Sequence, residues 1–197
     1  MIAGADKRKE FLSGEKRYRG PNRVVLLVFG LVAVVGVAWF VMATRDTAVV
    51  PRRYEGGTYN IGRSVSYKGQ VISMTDIENR VENGKIIIPL QEVIDNKIIY
   101  TEYTAPNGEV KAVTSFITPA GRVVVAIAMC EPCRSQRFRI EDNILVCETC
   151  GTRWYLNDLR GISGGCPQYP PEELPYEVKE GLIYFDEEIV KEWQPRI

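Results

Sequence analysis

The chain has 197 residues, with 25 Lys and Arg, 25 Asp and Glu, and no histidine. That length holds one or two domains. Without imidazole, sulfur is the only soft ligand available to a metal, which excludes every histidine-ligated or histidine-driven site.

The zero balance of charge conceals an asymmetry. Residues 1–23 carry seven basic groups (Lys7, Arg8, Lys9, Lys16, Arg17, Arg19 and Arg23) against Asp6, Glu10 and Glu15. The rest of the chain is therefore mildly acidic, which argues against nucleic acid as a partner. Residues 1–23 read as a polar cytoplasmic segment near anionic headgroups, with a short helix around Lys7 to Leu12. Residues 24–43 read VVLLVFGLVAVVGVAWFVMA, with no charge among them. An uncharged run of this length predicts a transmembrane helix, since about 20 apolar residues cross a bilayer. A secretory signal has a shorter apolar core of about 7–15 residues, although Val41-Met42-Ala43 resembles a cleavage site. The basic excess before the run places the N-terminus in the cytoplasm and the remainder outside. The expected topology is a single-pass protein of the cell membrane, with the lipid bilayer as one partner.

Residues 44–60, with Pro51, Gly56 and Gly57, read as a linker. From residue 61 to 197 the chain reads as one antiparallel β domain. Apolar runs at Lys85–Leu90 and Lys97–Tyr103 lead to a turn at Pro106-Asn107-Gly108. Residues Val110–Thr118 alternate, and Pro119-Ala120-Gly121 turns the chain into Arg122–Ala128. Asn-Gly and Pro-x-Gly between β-branched runs are strong hairpin signals. Further turns are expected at Glu141–Asn143 and at Asn157-Asp158. The last strand is Gly181–Phe185, followed by a short helix over Glu187–Trp193. Segments Ser73–Asn83 and Leu90–Asp95 are candidates for short helices.

Within this domain stand two matched pairs, Cys130-Glu-Pro-Cys133 and Cys147-Glu-Thr-Cys150. Each C-x-x-C sets two sulfurs on one tight knuckle, and two knuckles make a tetrathiolate cage. Thiolates select zinc, copper(I) or iron–sulfur over magnesium and calcium. Spacing alone leaves structural zinc and an iron–sulfur centre both open, with thiol–disulfide exchange a third reading. Five cysteines are an odd number, and two knuckles are a poor disulfide framework for a domain of this size. No nucleophile, base or oxyanion group accompanies the cysteines, so an enzyme is not expected.

The stretch Val113–Ile183 resembles the membrane iron–sulfur FtrD-like family, which is associated with high-affinity iron-uptake systems. The resemblance is carried by Phe116 through Pro119-Ala-Gly-Arg122, Val123–Ala126, Cys130-Glu-Pro-Cys133 and Phe138-Arg-Ile140. It continues through Cys147-Glu-Thr-Cys-Gly-Thr-Arg-Trp154 and Ile162-Ser-Gly-Gly-Cys166-Pro167. It implies an iron–sulfur cluster on Cys130, Cys133, Cys147 and Cys150, and a role passing electrons to a membrane or extracytoplasmic redox partner.

The layout around the second knuckle is also similar to a Rieske domain, with an opening strand like Gly84–Val93 and a closing strand after Leu174-Pro-Tyr. Cysteines 133 and 150 stand where histidines would be, and the first knuckle has one residue more. That likeness implies a [2Fe–2S] cluster with Cys130 and Cys147 on one iron and Cys133 and Cys150 on the other. Replacing two histidines by thiolates adds negative charge and lowers the potential. Gly151, Thr152 and Cys166 are the expected neighbours of the cluster. Gly151 would let its N–H reach a sulfur and Thr152 would donate a hydroxyl. Gly164 and Gly165 would let the Cys166 loop approach, with Pro167, Pro170 and Pro171 stiffening it as a lid. Cys166 has three readings, a neighbouring thiol, a substitute fifth ligand or a small buried residue. The alternative to the cluster is Zn2+ in a zinc ribbon that serves as an interaction module of a membrane complex.

Overall fold

The computed structural model describes residues 22–45 and 51–197, so residues 1–21 of the basic segment, with the short helix expected around Lys7 to Leu12, and residues 46–50 of the expected linker lie outside them. The chain divides into two units, Met1–Asp46 and Thr47–Ile197.

In the first unit, helix α1 runs over Arg23–Arg45. Its side chains are described as far as Trp39, and the large apolar ones among them are exposed. Among the described residues no helix is long and apolar enough to cross a membrane.

The second unit is mainly β, in antiparallel sheets with one short parallel pair. Its middle sheet has the order β2 (Thr75–Asp76), β5 (Ile98–Thr104), β6 (Val110–Ile117), β7 (Val123–Ile127). Strand β6 alternates as its sequence dictates, and both faces are buried. Ala112 and Phe116 enter one core with Tyr100, Val124 and Ala126. Val113 and Ile117 enter another with Ile99, Val125 and Ile127. The buried hydroxyls of this strand are satisfied by backbone, Thr114 Oγ1 donating to Ile99 O at 2.8 Å and Ser115 Oγ to Val124 O at 2.7 Å.

The core around Val113 is closed by the sheet β12 (Tyr176–Lys179), β13 (Leu182–Asp186), β4 (Lys85–Pro89), β3 (Arg80–Glu82). Two short helices, α2 (Leu90–Asn96) and α3 (Glu187–Glu192), contribute Leu90, Val93 and Val190 to it. Part of Ser73–Asn83, a candidate helix in the sequence, is instead strand. The reason is Asn83-Gly84, whose φ values of 52° and 73° make a two-residue hairpin turn joining β3 to β4.

The other core is closed by the five-stranded sheet β1 (Val71–Ser73), β8 (Phe138–Glu141), β9 (Ile144–Cys147), β10 (Arg153–Tyr155), β11 (Gly161–Ser163). The first knuckle lies where β7 of the middle sheet passes into β8. The second lies between β9 and β10, so the five-stranded sheet presents both. Of the expected linker, residues 52–57 are docked on the domain. Arg52 Nη1 meets the buried Glu173 at 2.6 Å, Arg53 N–H donates to Glu172 at 2.8 Å, and a Cβ on Gly57 would overlap Tyr176. Two buried carboxylates need partners, and this segment supplies two of them.

Trp154 of β10 ties this sheet together. It is fully buried, packs edge-on to Phe138 at 6.1 Å, and donates Nε1–H to Pro167 O at 3.0 Å. Trp154→Phe keeps the packing and loses that hydrogen bond, so urea denaturation should show a loss of about 1 kcal/mol. Trp154→Ala should cost about 3–5 kcal/mol through the cavity it leaves. Equal midpoints for the two variants would deny the ring its place in the core.

Candidate metal centre

The two knuckles fold alike because the same chain turn is repeated. In the first, Cys130 N–H donates to Ser135 O at 2.8 Å and Arg134 N–H donates to Cys130 O at 2.8 Å. In the second, Cys147 N–H donates to Thr152 O at 2.9 Å and Gly151 N–H donates to Cys147 O at 3.0 Å. The residue after each second cysteine is left-handed, Arg134 at φ 59° and Gly151 at φ 68°. Glycine adopts that backbone freely and arginine at a cost. A Cβ on Gly151 would meet nothing, so glycine is there for its backbone angle, and its N–H is engaged by the Cys147 carbonyl.

The turns bring all four sulfurs within 4.8 Å of one another. The closest contacts cross between knuckles, Cys130 to Cys150 at 3.7 Å and Cys133 to Cys147 at 3.6 Å. Cys130 and Cys147 are buried in the core with Trp154 and Phe138, Cys133 is half-buried, and Cys150 is exposed. All five cysteines are free thiols.

Proton sharing within the cage follows from this packing. Cys147 is drawn down to about 4, first by the hydrogen bond from the Cys130 thiol, working against burial. Cys130 is correspondingly pushed up by the same bond and by burial. Burial lifts Cys133 to about 11. Cys150 is lowered; burial opposes the shift, and the Thr152 hydroxyl and backbone N–H outweigh it.

Thr152 is fully buried, with Oγ1 3.2 Å from Cys150 Sγ. The same oxygen accepts the Cys166 N–H at 3.2 Å. A hydroxyl donates once and accepts twice, so Thr152 can serve the sulfur and the Cys166 loop together. Gly164 makes that approach possible, because a Cβ there would sit 2.6 Å from Thr152 Oγ1. Gly165 has open space instead. Cys166 is buried below this loop, in the core with Cys130 and Cys147, and is not one of the four converging sulfurs.

Two contributors escaped the sequence reading. Ser135 occupies the position in the first knuckle that Thr152 has in the second, and it is visible once C-E-P-C-R-S is laid over C-E-T-C-G-T. Its hydroxyl and backbone N–H help lower Cys147 and hold down Cys133. Glu131, inside the first knuckle, is 1 % exposed and accepts Arg196 Nε at 2.6 Å. Arg134 Nη2 also reaches Ile197 O at 3.1 Å, so residues near the C-terminus clasp this knuckle. Nothing local to Glu131 signals a partner so distant in sequence.

Four cysteine sulfurs converging on a mainly β domain form a site that could hold a metal ion. The donor set fits an iron–thiolate or zinc centre, with Cys130, Cys133, Cys147 and Cys150 as its holders. The profile of the family described as membrane iron-sulfur containing protein FtrD-like matches residues 93–197, more than half of the chain, and the chain belongs to that family. No curated protein matches it.

If Thr152 supports the Cys150 sulfur, Thr152→Val should weaken cobalt(II) binding about tenfold, as loss of a ligand's hydrogen-bond partner does. Gly164→Ala should act in the same direction by pushing Thr152 aside, and Thr152→Ser should stay near the parent. Chelator competition, with circular dichroism to confirm folding, reads all three. An unchanged constant for Thr152→Val would remove the hydroxyl from the site.

Proposed function

We propose that this chain is a membrane-anchored, extracytoplasmic one-electron carrier whose iron–thiolate centre is held by Cys130, Cys133, Cys147 and Cys150. The observation that carries this reading is the exposure of Cys150, one ligand of a set whose other members are buried or half-buried. Around it Glu148, Thr149 and Gly151 are exposed as well. A centre with one sulfur at the surface lets a docked partner come close, while the buried sulfurs are kept from water and oxidants.

When bound, iron supplies two oxidation states one electron apart. The protein's own part is to hold both with little movement. The knuckle hydrogen bonds fix four sulfurs in place, and the Thr152 hydroxyl and the Ser135 N–H offer donors that stabilise charge on sulfur. No proton need move with the electron. The carrier performs no bond-breaking step of its own, and its partners in this reading are a membrane or extracytoplasmic electron donor and acceptor.

The uncharged run at 24–43 supports the anchor, and the basic excess before it supports a cytoplasmic N-terminus. The resemblance of the loop layout to a Rieske domain supports the same class of function, with the lid segment touching the centre through the Thr152 and Trp154 hydrogen bonds. A second reading is favoured by the close approach of the sulfurs, which suits zinc equally well. In it the site is structural and the domain is an interaction module of a membrane complex.

Anaerobic purification of the full chain from membranes separates the two. The carrier should be coloured, bleach with dithionite and recover on reoxidation. It should stay with the membrane after an alkaline wash and leave it when residues 24–43 are deleted. A colourless protein with tightly bound zinc would remove the electron carrier and leave the interaction module.

A further inference from the structure

The Rieske-like layout leads one to expect a two-iron cluster, and the sulfur geometry disagrees. We infer that the four cysteines hold a single metal ion with no inorganic sulfide. The inference deepens the iron–thiolate reading above and concerns the same site.

The argument is one of partition. A [2Fe–2S] cluster divides four thiolates into two pairs, one pair on each iron. Sulfurs on one iron are close, but those on different irons are separated by the iron–iron spacing plus two bond projections, roughly 5.5 Å or more. Whatever pairing is chosen, four of the six sulfur–sulfur distances must be long. Here none exceeds 4.8 Å. Pairing Cys130 with Cys147 would put the Cys130–Cys150 and Cys133–Cys147 distances across the cluster, yet these are 3.7 and 3.6 Å. Pairing along those two contacts fares no better, since all the remaining distances also lie within 4.8 Å.

One ion meets the geometry directly. A tetrahedron with metal–sulfur bonds of 2.3 Å has sulfur–sulfur edges of about 3.8 Å. The cross-knuckle contacts lie close to that edge. The two knuckles repeat one turn, their hydrogen bonds and left-handed fifth residues corresponding pair by pair, and both close contacts between them set the first cysteine of one knuckle against the second of the other. An iron ion on four cysteine sulfurs still answers the description of an iron–sulfur protein.

Reconstitution decides it. Full-length metal-free chain in detergent is offered iron(II) and sulfide together, both in excess and without oxygen, then desalted and assayed for iron, acid-labile sulfide and protein. One iron per chain with no labile sulfide is expected. Two irons and two sulfides per chain would overturn the inference while leaving the electron carrier intact. In parallel, protein purified as expressed is assayed for zinc. One zinc and no iron supports the single-ion site and overturns the electron carrier, so the two failures are distinct. Cobalt(II) titration gives a reading independent of iron chemistry. It should saturate at one ion per chain with the visible bands of a tetrahedral tetrathiolate, and saturation at two ions in the cage would count against the inference.

Discussion

The knuckle turn is the constraint on which the centre depends. Each C-x-x-C closes through a pair of backbone hydrogen bonds that need a left-handed residue after the second cysteine. That turn costs little at Gly151. At Arg134 it costs about 1–2 kcal/mol by the general penalty on L-residues, offset by contacts of the Arg134 guanidinium and the buried Glu131 with the chain's last residues. Only with both turns formed do Cys130 and Cys147 enter the core from opposite strands. A metal held there would cross-link the β7–β8 connection to the β9–β10 hairpin and so couple its binding to the packing of the five-stranded sheet.

The middle sheet is what lets so small a domain hold such a site. Buried on both faces, β6 and β7 provide two cores from one layer, one reserved for the fold and one shared with the cysteines. Charge is admitted to the interior only in pairs. Glu173 meets Arg52 and Arg122, Glu172 meets Arg53 and the Trp193 indole, and Glu131 meets Arg196. Each pair joins segments far apart in sequence. Breaking one would leave a buried charge uncompensated, which costs more than the intact pair contributes. These contacts position the chain ends around a frame that the apolar alternation has already built.

How much of this was legible in the sequence depends on the range of the signal. Hairpins announced by a local turn, at Pro106-Asn-Gly108 and Pro119-Ala-Gly121, stand where the turn chemistry put them, with Gly108 and Gly121 at positive φ. Short helices at Leu90–Asn96 and Glu187–Glu192 also lie close to where they were expected. The convergence of two knuckles follows from their matched spacing. What escaped was set at long range or overlooked locally. Asn83-Gly84 is a hairpin signal that helix-like spacing in Ser73–Asn83 obscured. Strand β1 exists only because β8, some seventy positions later, pairs with it. The docking of residues 52–57 depends on Glu172 and Glu173, whose burial no local pattern reveals.

The sequence likeness to a Rieske domain and the single-ion geometry meet in one residue. In the Rieske arrangement the two knuckles are unequal, a short C-x-H and a longer C-x-x-H. Here the first knuckle is one residue longer and equals the second. Equal spacing permits the same hydrogen-bonded turn on both sides, with Ser135 and Thr152 in matching places. Cysteine in both histidine positions leaves four ligands of one kind, and like ligands on like turns fit the even spacing of the sulfurs across the cage, 3.7 and 3.6 Å.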